Sequence, residues 1–131
     1  MAKAVHMMIR VLEEARSVDF YSKCFGLTIA ARHEWPDFVL IYMSNPEAPF
    51  ELELTVNKGS AEPYDLGNGY GHMAVVTDDL ATEHARIAGL GFSPKDIREM
   101  SYEGRPFGRF FFIEDPDGYK IEVLQKGGRF V

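Results

Sequence analysis

Cysteine is nearly absent: Cys24 is the only one in 131 residues, so no internal disulfide can form and stability has to come from a packed core. Its neighbours Phe20, Tyr21 and Phe25 predict a reduced, packed thiol, and nothing nearby would lower its pKa enough to make it a nucleophile. Positive charge is also short. Fourteen Lys and Arg against twenty Asp and Glu give a net charge of −6. With no basic stripe, that balance argues against nucleic acid or an anionic membrane as the main partner. No apolar run approaches a membrane span, and Met1-Ala2-Lys3 leads into a strand without a signal-peptide pattern, which predicts a cytoplasmic protein. Local zinc-finger and His-Glu-x-x-His patterns are missing too. What remains is a chain that is 46% hydrophobic, enough for one globular unit with a real core.

Within that unit the sequence repeats itself. His6-Met7-Met8-Ile9 is answered by His72-Met73-Ala74-Val75. A helix-like stretch follows each histidine and closes at Gly26-Leu27 in one half and Gly91-Phe92 in the other. Each half ends in an apolar strand with a central carboxylate, Phe50-Glu51-Leu52-Glu53-Leu54 against Tyr119-Lys120-Ile121-Glu122-Val123.

Alternation along a strand sorts these side chains by face. His6, Met8 and Arg10 share one face, opposite Val5, Met7 and Ile9. Glu51, Glu53, Thr55 and Asn57 oppose Leu52, Leu54 and Val56. His72 falls with Ala74, and Glu122 with Lys120 and Leu124. His6, Glu53, His72 and Glu122 can thus line one concave surface, and two imidazoles with two carboxylates can hold a divalent ion. His33 and His84 are read as structural, on a loop-like stretch and a helix surface.

The pattern predicts strands near 5–11, 27–34, 38–43 and 50–57, with a helix near 13–25 on which Val18, Tyr21 and Phe25 recur and which Gly26 ends. Asn45-Pro46 and Pro49 mark the break before the last strand. The second half repeats this with strands near 71–77, 93–98, 109–113 and 119–125 and a helix near 79–88 capped by Asp78. Asp115-Pro116-Asp117-Gly118 fits a type I turn. The expected fold is α+β: two βαβββ modules, about 1–57 and 70–126, forming a curved mixed sheet in a single domain over 1–131.

Five pieces in order, His6-Met7-Met8-Ile9-Arg10-Val11, Ser17-Val18-Asp19-Phe20-Tyr21, Glu53-Leu54-Thr55-Val56-Asn57, Gly69-Tyr70-Gly71-His72 and Glu114-Asp115-Pro116-Asp117-Gly118-Tyr119-Lys120-Ile121-Glu122, carry a family resemblance. The chain resembles the bacterial short-chain glyoxalase I enzymes, or lactoylglutathione lyases, of the vicinal oxygen chelate superfamily. That resemblance implies the fold above, His6, Glu53, His72 and Glu122 as metal ligands, and Arg10 and Asn57 as glutathione contacts. It also implies a homodimer with sites between subunits. The expected reaction isomerises the hemithioacetal of methylglyoxal and glutathione to S-lactoylglutathione through an enediolate, with Glu122 as the main base and Glu53 beside it. Ni(II) or Co(II) is favoured, while Zn(II) or Mn(II) would also suit these ligands.

Relatives usually carry a lysine and two glycines before the penultimate strand, where this chain has Glu103-Gly104-Arg105-Pro106-Phe107-Gly108. Arg105, or Arg98 or Arg109, is expected to supply the charge for a glutathione carboxylate. The same scaffold also serves metal-dependent epimerases and dioxygenases and metal-free binding modules of the bleomycin-resistance kind. A dioxygenase needs two His and one Glu, so the fourth ligand would be unexplained.

Overall fold

The computed structural model describes residues 1–131, which divide into two compact units, Met1–Asp65 and Leu66–Val131. In the first, β1 (His6–Arg10) leads to α1 (Glu14–Phe25), followed by β2 (Thr28–Glu34), β3 (Phe38–Asn45) and β4 (Ala48–Asn57). The sheet order is β1-β4-β3-β2, with β1 parallel to β4 and the remaining pairs antiparallel. The βαβββ order predicted from the repeat is the one observed.

Helix α1 buries Ser17, Phe20, Tyr21 and Cys24, a spacing of three and four residues that makes one continuous stripe. Val18 and Phe25 lie at the stripe's margins, half-buried. Gly26 ends the helix at φ 65°, a left-handed position that a side chain would disfavour. Its N–H donates to the Ser22 carbonyl at 3.0 Å, the single closing bond of an αL cap, and that of Leu27 reaches the Tyr21 carbonyl at 3.3 Å. The strands bury Ile9, Val39, Ile41, Met43, Leu52 and Leu54. Each such side chain contributes about 1.5–3 kcal/mol through burial.

Pro49 does not break the sheet but lies inside β4. The register jumps from Met43↔Leu52 to Asn45↔Ala48, so Pro49 falls within a bulge, where its missing N–H costs no ladder bond.

The second unit runs β5 (Met73–Thr77), α2 (Leu80–Gly89), β6 (Arg98–Tyr102), β7 (Arg105–Glu114) and β8 (Lys120–Gln125). Its order is β5-β8-β7-β6, with β5 parallel to β8. The core is Leu80, Ile87, Phe111, Ile113, Ile121 and Val123. Asp115 organises the turn before β8: its Oδ1 accepts from the N–H groups of Asp117 and Tyr119, each at 2.9 Å, and Gly118 N–H donates to its carbonyl at 3.0 Å.

Three local expectations are corrected. The cap of α2 is Asp79, whose carboxylate accepts from Thr82 N–H at 3.0 Å and Thr82 Oγ1 at 2.8 Å. Asp78 instead offers its carbonyl to Gln125 Nε2 at 2.6 Å and its carboxylate to Lys126 at 3.3 Å. Residues 93–97 are not a strand: the edge strand begins at Arg98, and Pro94 withholds one of the N–H donors an earlier start would need. Finally, Glu103 and Gly104 are the tip of a hairpin, at φ 49° and 74°, so 105–108 belong to β7 rather than to an open loop. No helix is long and apolar enough to cross a membrane.

Candidate metal centre

His6 opens β1, and Glu53 sits on the neighbouring β4, both on the sheet face opposite the buried Ile9, Leu52 and Leu54. His6 Nε2 lies 2.9 Å from Glu53 Oε2, with side chains 39% and 10% exposed respectively. In the second unit His72 immediately precedes β5 and Glu122 sits on β8. His72 Nε2 lies 3.1 Å from Glu122 Oε2, at 41% and 16% exposure. In both units an accessible imidazole therefore meets a largely buried carboxylate.

A buried carboxylate needs a proton, a donor or a cation as partner. The imidazole provides one, and the same atoms suit an ion. Two ligands at about 2.1 Å from one divalent ion, at right angles, stand about 3 Å apart, the separation seen in both pairs. The chain gathers no group of three or more such residues in one place; each unit holds one His–Glu pair.

The aromatic surroundings repeat as well. Tyr42, paired with Glu53 across β3 and β4, meets the His6 ring edge-on at 5.8 Å. Phe112, paired with Glu122 across β7 and β8, meets the His72 ring edge-on at 5.3 Å. Burial first, then the charge of the facing Glu53 carboxylate and hydrogen bonding to it, push the Tyr42 phenol above its ordinary range. Sequence reasoning passed over Tyr42, although its place before the first glutamate strand matches that of Phe112 before the second. It placed Thr55 on the Glu53 face but gave it no role. This residue is 8% exposed, lies opposite Arg10 in the register, and has a buried hydroxyl with no partner, the kind of group a ligand can satisfy.

Of the residues predicted to hold substrate, Arg10 is exposed on the His6 face of β1 and Asn57 ends β4, its Nδ2 donating to Tyr64 OH at 3.2 Å. The three arginines separate. Arg98 pairs with Phe110 and so shares the Glu122 face. Arg109 pairs with Glu99 and stands 3.7 Å from its carboxylate, in phase with the buried Phe111 and Ile113 on the opposite face. Plain alternation would send Arg105 there too, but the register skips Phe107, taking Met100↔Gly108 to Ser101↔Pro106. This bulge re-aims Arg105, opposite Tyr102, to the Glu122 face. His33 lies on β2 rather than a loop, 6.1 Å from Trp35, and His84 packs edge-on against Phe111 with Nε2 2.9 Å from the Lys95 carbonyl. A cleft of about 370 Å³ between the β6–β7 hairpin and residues 125–130 is lined by Met100, Phe107, Arg109, Lys126 and Phe130, and includes neither His72 nor Glu122.

Residues 3–123 match the model of the Glyoxalase/Bleomycin resistance protein/Dioxygenase superfamily. The lactoylglutathione lyase of Neisseria meningitidis is 37% identical over 128 residues, 95% of this chain and 91% of the relative. Among solved structures, glyoxalase I of Zea mays superposes with a TM-score of 0.82 at 28% identity; the match covers 96% of this chain but 45% of the maize chain. The glyoxalase I of Leishmania major, described as trypanothione-dependent, gives 0.76 at 29% identity, over 95% of this chain and 87% of its own.

Proposed function

The chain belongs to the glyoxalase, bleomycin resistance protein and dioxygenase superfamily, and from that premise we propose that it is a lactoylglutathione lyase, or glyoxalase I. The observation that carries the reading is the duplicated His–Glu pair, imidazole against buried carboxylate at 2.9 and 3.1 Å. His6, Glu53, His72 and Glu122 are the proposed ligands of a divalent ion, Ni(II) or Co(II) in preference to Zn(II) or Mn(II), in a cytoplasmic homodimer whose sites form between subunits. The two units act as one domain.

The reaction moves hydrogen between adjacent carbons. In the hemithioacetal the carbon bearing sulfur and hydroxyl gives up its C–H proton, the neighbouring carbonyl carbon receives one, and the hydroxyl proton passes to the old carbonyl oxygen, leaving a thioester. Nothing is gained or lost overall. The difficult point is the negative charge that develops on two vicinal oxygens when the C–H proton leaves, and a divalent ion held by His6, Glu53, His72 and Glu122 would supply the positive charge that offsets it. Glu122 takes the proton and returns it to the adjacent carbon. Glu53, its counterpart, serves the opposite side. His6 and His72 stand beside the two carboxylates and would share the ion with them through Nε2. Arg10 and Asn57 hold the glutathione portion, and Arg105 meets one of its carboxylates with the fork that guanidinium offers.

Thioester formation from methylglyoxal plus glutathione tests this, read before and after chelator treatment and after stoichiometric Ni(II) or Co(II) is returned. Activity that vanishes with the ion and returns with it supports the proposal. A superfamily epimerase would be metal-dependent yet form no thioester, and a binding module would turn nothing over.

A further inference from the structure

The aromatic residues that flank the two His–Glu pairs differ by one hydroxyl. Both units place an aromatic ring edge-on to the histidine and directly across the ladder from the glutamate, but in the first unit that ring is Tyr42 and in the second Phe112. We propose that Tyr42 is a positioning residue whose hydroxyl holds the Glu53 carboxylate in place, and that the lack of any such donor on Phe112 leaves Glu122 the carboxylate that handles the proton. This rests on the lyase reading and explains from within the chain why two repeated glutamates would not be equivalent.

A carboxylate oxygen accepting from a phenol has fewer lone pairs to offer and less rotational freedom, because the Tyr42 ring is itself fixed between its sheet neighbours and the His6 ring. Glu53 is also the more buried carboxylate, 10% exposed against 16% for Glu122. Accepting from the hydroxyl satisfies an oxygen that His6 alone would leave under-bonded in that setting. Glu122 receives the same ring packing without the bond, so it keeps the freedom to move between ion and substrate.

The test adds Tyr42→Phe, which removes one oxygen and keeps the ring, to the Glu122→Gln enzyme. Releasing Glu53 should raise kcat about tenfold over Glu122→Gln alone, the scale of one hydrogen bond to a charged group, with KM little changed. A merely structural Tyr42 would leave kcat the same or lower it further. Independently of turnover, the Glu53 side-chain carboxyl carbon resonance in metal-free protein should move on Tyr42→Phe while that of Glu122 stays, and Phe112→Tyr should do the reverse.

An unmoved Glu53 resonance overturns the proposal. So does a double variant no faster than the single one, or a Glu122→Gln enzyme that is already fast with Tyr42 in place. If the parent forms no thioester, the lyase reading fails, and the resonances still decide whether Tyr42 holds Glu53.

Discussion

Replacing Glu122 by glutamine keeps the side chain's length and one oxygen while removing the group that accepts a proton. The amide can still present an oxygen to the His72 Nε2, now 3.1 Å from the carboxylate, so the pair retains its shape. Its 16% exposure means the amide N–H₂ can still find water, and no large folding penalty accompanies the change. General-base loss typically costs a factor of about 10² to 10⁴, or about 3–5 kcal/mol of transition-state stabilisation. The account therefore predicts a fall in kcat of at least about 10² with bound metal near the parental value. Glu53→Gln should be milder. Initial-rate thioester formation and elemental analysis on the same preparations decide it. A Glu122→Gln enzyme that keeps its metal and turns over at nearly the parental rate refutes the reasoning.

The arginines give a test of the bulge. Arg105→Ala should raise KM for the hemithioacetal by about 10- to 100-fold, the value of a charge-assisted bond, whereas Arg109→Ala, on the other face, should leave it near parental; equal effects would contradict the register. Phe111→Ala, at a fully buried position, should cost about 3–5 kcal/mol in denaturant unfolding, and a change below about 1 kcal/mol would misplace the core. Hydrogen bonds from Thr82, backbone first and side chain second, hold the Asp79 carboxyl below its usual 3.8. A folded-state pKa below the unfolded one stabilises at pH above the unfolded value, and that stability is lost as pH falls through the folded value. Asp79→Ala should therefore lower the melting temperature at pH 7 and cost progressively less below pH 3.8; a constant difference down to pH 2 would remove the cap from the argument.

The order of elements and the two His–Glu pairs were legible in the sequence because the chain states them twice. Alternation alone assigned His6, Glu53 and Glu122 to one face each, and the structure keeps that phase because the buried Ile9, Leu52, Leu54, Ile121 and Val123 enforce it. What escaped were the places where the period of two is broken. Pro49 looked like a strand boundary because a bulge has no local signature strong enough to outweigh proline. Arg105 and Arg109 looked equivalent because the skipped Phe107 shows only in the pairing register. The capping aspartate was misplaced by one because Asp78 and Asp79 are both good caps, and the Gln125 bond to the Asp78 carbonyl is a contact across 47 residues. Tyr42 was invisible for a related reason: its hydroxyl matters only once the ladder sets it across from Glu53.

The central claim is that the two His–Glu pairs, one in each unit, act as a single metal centre. Metal content per chain, measured by elemental analysis for the parent, His6→Ala and His72→Ala purified without chelator, tests it most directly. The account predicts that removing either imidazole lowers bound metal well below the parental stoichiometry, to similar extents, because each takes one ligand from the same ion. Full metal retention in either variant would contradict it.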